Sequence, residues 1–221
     1  MIINETKRLE TIHEIDTERK HLENCLTTLI SSIGDIPIAS PKIMPFGWRK
    51  SAKGRTVWRI LEEIISQNLE LRSKELGFTS VSSADSEVGV YDFEFLYPTG
   101  KIAYVNIKSS VLNGRRNKDD ISKAKGLLEF YKAYPDSNLY VATFVIDFRD
   151  DMTIRICKAT VVPVSWIPDV YVNPSNNGNL QSADYKNLSL CVPRTNEEFL
   201  EILNVEVNRA IEKRKAGLNN E

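Results

Sequence analysis

The chain has 221 residues, 42% of them hydrophobic and 27% charged, an ordinary globular composition with enough apolar content for one sizeable core. No apolar run reaches the length of a membrane span and Met1–Glu10 is charged and polar, so neither a membrane partner nor a secretory leader is expected. Cys25, Cys157 and Cys191 are scattered without metal-ligand spacing, and the only histidines are His13 and His21; the reading is a cytoplasmic protein with reduced thiols and without a histidine-based metal centre or triad.

In chain order, residues 5–31 carry Leu9, Ile12, Leu22, Leu26, Leu29 and Ile30 at helical spacing, predicting one helix or two with a narrow apolar stripe. Asp35–Gly47 holds Pro37, Pro41 and Pro45 and reads as a loop or extended crossing. A helix is expected from about Gly54 to Leu76, burying Val57, Ile60, Leu61, Ile64, Ile65 and Leu69, with Gly77 as its stop. Val90–Tyr97 alternates, Pro98-Thr99-Gly100 supplies a turn, and Lys101–Ser109 returns as the second strand of a hairpin. Lys118–Tyr134 reads as a helix on Ile121, Ala124, Leu127, Leu128 and Tyr131. Strands are expected at Leu139–Phe148 and Thr153–Val164. A long polar loop, Asn173–Asn187, and a short apolar stretch, Leu188–Val192, lead to a last helix. Thr195 and Glu198 mark its start as a capping box, and Phe199, Leu203, Val207 and Ile211 line one side. This order predicts an α/β fold with a central mixed β-sheet flanked by helices. Its parts are an N-terminal helical segment 1–34, a core 54–165, a loop region 171–187 and a C-terminal helix 195–216.

Charge is uneven although the net is −1. Between Pro41 and Leu61 stand Lys42, Arg49, Lys50, Lys53, Arg55 and Arg59 with no acidic residue, and Arg115, Arg116, Lys118, Lys123 and Lys125 follow Lys108, diluted by Asp119 and Asp120. Both clusters flank the one segment with a chemical pattern. In Tyr91-Asp92-Phe93-Glu94-Phe95, Asp92 and Glu94 share a strand face, and in Val105-Asn106-Ile107-Lys108 so do Asn106 and Lys108. A hairpin can bring the two pairs together. Oxygen ligands there would hold a hard divalent cation, and a lysine beside it can orient or deprotonate a water and offset negative charge.

This pattern resembles the PD-(D/E)XK nuclease superfamily. The run from Arg59-Ile60-Leu61-Glu62-Glu63 through Glu75-Leu76-Gly77-Phe78, Tyr91-Asp92-Phe93 and Ile107-Lys108 is similar to the catalytic half of the EcoRV-type restriction endonucleases, over about residues 55–112. The resemblance implies a restriction-endonuclease-like fold and one endonuclease domain over residues 1–221. It further implies a homodimer on a palindromic duplex DNA site and Mg²⁺ as cofactor, with Mn²⁺ or Ca²⁺ able to take its place in binding. The implied catalytic group is Asp92, Asn106, Lys108 and Glu62, with Asp92, Asn106 and Glu62 toward the metal. At the family's second acidic position this chain has Asn106, whose amide oxygen lacks the charge that favours Mg²⁺. Three readings of that departure stay open: an engineered inactive variant, a transfer of the ligand role to Glu94 or Glu62, or a natural DNA-binding module without cleavage. A repair or junction nuclease of the same fold is a further alternative.

Phosphate contacts are expected from Lys50, Lys53, Arg55, Arg59, Arg115, Arg116 and Lys118. Base readout is expected from the amides Asn176, Asn177, Asn179 and Gln181, since Asn and Gln pair bidentately with adenine in the major groove. Ser82, Ser83 and Ser86, just ahead of Asp92, are placed near the minor groove by the resemblance.

Overall fold

The computed structural model describes residues 5–49, 57–84, 89–175 and 178–218. The N-terminal periodicity resolves into a single helix, α1 (Glu5–Ile33), which buries Ile15, Leu22, Leu26, Leu29 and Ile30, while Leu9 stays 54% exposed. Among the described residues no helix is long and apolar enough to cross a membrane. Gly34, in the left-handed region at φ +71°, releases the chain into β1 (Asp35–Pro37), a short edge strand that tolerates its proline.

Within the described residues α2 runs Val57–Leu71, with Val57, Leu61, Ile65 and Leu69 on its buried side. Ile60, expected on that side, is 46% exposed, because it falls outside the four-residue spacing of the buried row. Turns carry the chain on to Gly77, whose φ of +87° suits a glycine stop. Then come β2 (Ser80–Ser83), β3 (Phe93–Leu96) and β4 (Ile102–Val111), each antiparallel to the next. Gly100, at φ +84°, turns the β3–β4 hairpin.

The stretch 118–134 departs from expectation. Its first part is a strand, β5 (Asp119–Lys123), and only Ala124–Ala133 is helical, α3. The periodicity was genuine, since Ile121, Ala124, Leu127 and Tyr131 are all buried in one cluster. A strand serves Ile121 equally well, and a partner far along the chain decides the matter: β5 pairs antiparallel with β9 (Asn179–Ser182), which also pairs with β8 (Tyr171–Val172). The expected polar loop therefore contains a strand of a small sheet, β9.

The long strands β6 (Asn138–Phe148) and β7 (Thr153–Pro163) complete a six-stranded sheet in the order β1-β7-β6-β4-β3-β2, beside the three-stranded sheet β5-β9-β8. β4 and β6 are parallel, joined by the β5–α3 crossover, and the remaining pairs of the large sheet are antiparallel, so the sheet is mixed. One core lies on the α1/α2 face, where Leu22, Leu61, Phe95, Phe144 and Ile154 meet. The second lies on the other face among Tyr104, Leu127, Leu180, Tyr185 and Phe199. The last helix, α4 (Asn196–Leu218), is capped as expected: Glu198 accepts the Thr195 N–H at 2.9 Å and Thr195 accepts the Glu198 N–H at 3.3 Å. It buries Phe199, Leu203, Val207 and Ala210. Ile211, expected among them, is 37% exposed.

Candidate active site

Alternation along the hairpin sets which side chains can meet. On β4, Ala103, Val105 and Ile107 enter the first core and Tyr104 the second, so Asn106 and Lys108 face the small sheet and α3. On β3, Phe93 and Phe95 enter the first core, which sends Glu94 to the opposite face. Continuing the register that pairs Phe93 with Val105 carries Asp92 alongside Asn106 and Lys108.

Asp92 is held twice by β4. Its N–H donates to the Val105 carbonyl at 2.8 Å, and its Oδ2 accepts the Ile107 N–H at 2.5 Å. Burial pushes its pKa above the usual aspartate range, while the Ile107 N–H and the Lys108 ammonium pull the other way. Burial pushes Lys108 below the usual lysine range; Asp92, then Asp120, Asp119 and Glu62, work against that shift. A half-buried carboxylate just ahead of β3 and a half-buried ammonium on β4 thus stand near one another, with Asp120, Asp119 and Glu62 also acting on the lysine. Glu62 reaches the same place from α2: with Arg59, Ser66, Ser83 and Asp92 it lines a cleft of about 430 Å³. Arg59 bonds Glu62 at 3.5 Å from an exposed position.

Asn106 is different in kind. Only 8% exposed, it donates from Nδ2 to the Val90 carbonyl at 3.1 Å and to the Ile121 carbonyl at 3.3 Å. Two carbonyl neighbours fix which end of the amide is nitrogen. The remaining atom, Oδ1, is all that this side chain can offer a cation. Glu94 lies opposite Tyr104 and accepts the Tyr91 hydroxyl at 2.7 Å.

The carboxylate that sequence reasoning undervalued is Asp120. Read as a diluting charge on a helix, it sits instead on β5, accepting the Gln181 amide at 2.6 Å and the Asn179 amide at 3.1 Å. Two consecutive acids soon after the lysine were the available signal, lost because the segment was assigned to a helix. Asn179 and Gln181 therefore lie in a strand, with Asn173 donating to Gln181 at 3.2 Å. Asn176 and Asn177 lie outside the described residues, as do Lys50, Lys53, Arg55 and Ser86.

Of the expected phosphate contacts, Arg115 and Arg116 line a second cleft of about 730 Å³ that includes Ser109, Ser110 and Lys186. Arg116 makes a two-pronged bond to Asp184. Lys118 lies 3.6 Å from the centre of the Tyr171 ring. Ser83 donates to Glu70 at 2.9 Å. Among the described residues no three His, Cys, Asp or Glu form a ready-made metal centre. The available donors, Asp92, Glu62 and the Asn106 Oδ1, are all hard oxygen and fit a Mg²⁺-like cation in kind. Compared with models of known protein families and with curated proteins, the chain matches none.

Proposed function

We propose that this protein is a Mg²⁺-dependent endonuclease with a restriction-endonuclease-like fold, acting as a homodimer on a palindromic duplex DNA site. It would hydrolyse both strands to 5′-phosphate and 3′-hydroxyl ends, as its resemblance to the EcoRV-type enzymes implies. The observation that supports this reading best is the placement of half-buried Asp92, just ahead of β3, near half-buried Lys108 on β4, with Glu62 lining the same cleft as Asp92.

In this reading Asp92 and Glu62 would hold the cation, with the Asn106 Oδ1 as a neutral neighbour. When bound, the ion neutralises phosphate charge and acidifies a water. Asp92 is kept in place by the Ile107 N–H, which limits its rotation. Lys108 orients the attacking water and offsets charge on the scissile phosphate. Its lowered pKa makes a neutral amine, able to take a proton from that water, more accessible than on a surface lysine. Arg115 and Arg116 would follow the backbone from the neighbouring cleft, Lys118 would join them from its place over Tyr171, and Asn179 and Gln181 would read base edges from β9.

Plasmid DNA incubated with the protein and Mg²⁺ tests the reading, with Lys108→Ala alongside. The parent should yield discrete fragments, and the variant should lose cutting by ~100-fold or more while still binding in Ca²⁺ by gel shift. A Lys108→Ala variant that cuts as fast as the parent would defeat the assignment. Parent and variant that bind a specific site yet never cut would favour the second reading, a DNA-binding module, for which the uncharged Asn106 speaks. Cutting confined to branched DNA would point to a junction nuclease.

A further inference from the structure

We infer that Asn106 is a positioning residue that ties the three-stranded sheet to β4, and is not a weakened ligand standing where a carboxylate belongs. Its consequence for cleavage rests on the nuclease reading; the tie itself does not.

The amide nitrogen meets two backbone carbonyls from separate segments, Val90 at 3.1 Å and Ile121 at 3.3 Å. Asn supplies two N–H donors from one nitrogen, which satisfies both at once. An aspartate of the same shape has no donor when ionised. It would set a carboxylate against two carbonyl oxygens and deprive both acceptors, one buried and one partly buried, of this donor. At this position the acid is therefore the misfit.

What the amide joins gives the contact its meaning. Val90 is two residues ahead of Asp92, so the first bond holds the approach to that half-buried carboxylate. Ile121 lies in β5, so the second bond holds the strand that carries Asp119 and Asp120. β5 belongs to the small sheet and has no ladder to β4. Through Asp120 the tie continues to Gln181 and Asn179 on β9. One side chain on β4, two residues from Lys108, thus sets where the amide-bearing sheet stands relative to that lysine.

Hydrogen–deuterium exchange by mass spectrometry on the full chain tests the tie without reference to cleavage. Asn106→Asp should speed exchange by roughly tenfold, the effect of losing two modest hydrogen bonds. The increase should be confined to β5, β9 and the segment around Val90, with β6 and β7 unchanged. Asn106→Ser, which keeps one donor, should fall between parent and Asn106→Asp, and serves if the aspartate variant does not fold. Thr195→Ala, a destabilisation at the start of α4, controls for general loosening: any rise in exchange that it causes should not be confined to β5, β9 and the Val90 segment. Cleavage of plasmid DNA in Mg²⁺ and relative affinity for specific and random duplexes are measured on the same proteins. Asn106→Asp should gain no cutting, and Asn106→Ser should narrow the specific-to-random ratio.

Unchanged β5–β9 exchange in both variants overturns the inference. So does an Asn106→Asp protein that cuts where the parent does not, since that would make the site one missing an acid. If no protein in the set cuts DNA but exchange rises locally, the tie stands and the nuclease reading fails on its own.

Discussion

Replacing Tyr140 by phenylalanine would remove a single hydroxyl from the centre of the large sheet. Tyr140 is 0% exposed, and its hydroxyl donates at 2.6 Å to Glu18, a buried carboxylate on α1. Glu18 also accepts the Asn138 amide at 2.7 Å and lies 3.4 Å from the Lys101 ammonium. Three donors thus satisfy one carboxylate and pin α1 to the ends of β4 and β6. A hydrogen bond to a charged acceptor contributes about 1.5–3 kcal/mol, and phenylalanine leaves only a hydroxyl-sized void. The expected loss is about 2 kcal/mol, which in a chain of this length lowers Tm by roughly 4–8 °C. Urea unfolding followed by tryptophan fluorescence reads it directly. With Glu18→Gln as the second arm of a double-mutant cycle, the Tyr140→Phe penalty should shrink toward the ~1 kcal/mol of a neutral bond. A Tyr140→Phe protein within about 0.5 kcal/mol of the parent, or an equal penalty in both backgrounds, would refute the claim that charge strengthens this bond.

Other consequences are equally concrete. Phe199 is fully buried against Tyr131 in the second core, so Phe199→Ala should cost about 3–5 kcal/mol in the same urea assay. Thr195→Ala removes half of the capping box and should cost about 1 kcal/mol, with the fold unchanged by circular dichroism. Asp92 has its pKa raised by burial, so the native state holds that proton to higher pH than the unfolded chain does, and its ionisation weakens the fold as pH rises from the usual carboxylate range through the raised value. Lys108, lowered by burial, stays charged at a cost until pH exceeds its depressed pKa. The double variant Asp92→Asn/Lys108→Met should therefore melt above the parent at pH 7 and lose part of that advantage as pH falls into the carboxylate range; a lower melting temperature at pH 7 would count against the burial argument. If Arg115 contacts a phosphate, Arg115→Ala should reduce the slope of log K against log salt for DNA binding by about 0.9, measured by fluorescence anisotropy.

Local pattern determined much of this protein. The four-residue row of α2, the capping box of α4, the Pro-Thr-Gly turn and the alternation of β3 and β4 each specify their own geometry within a few residues. The same period of two put Asp92 on one face with Glu94 and Asn106 with Lys108, and so made the group around Asp92 and Lys108 readable before any tertiary contact. Other features depended on partners distant in sequence. Whether Asp119–Lys123 was helix or strand turned on β9, some sixty residues later. The roles of Asp120, Asn179 and Gln181 followed from that pairing. Asn106 looked like a deficient ligand when judged by position in a motif, because a motif records which residue occupies a site and not which atoms face it. Two carbonyls, one from β5 and one from the segment before Asp92, give that amide its task, and only the packing of the small sheet over β4 brings them within reach.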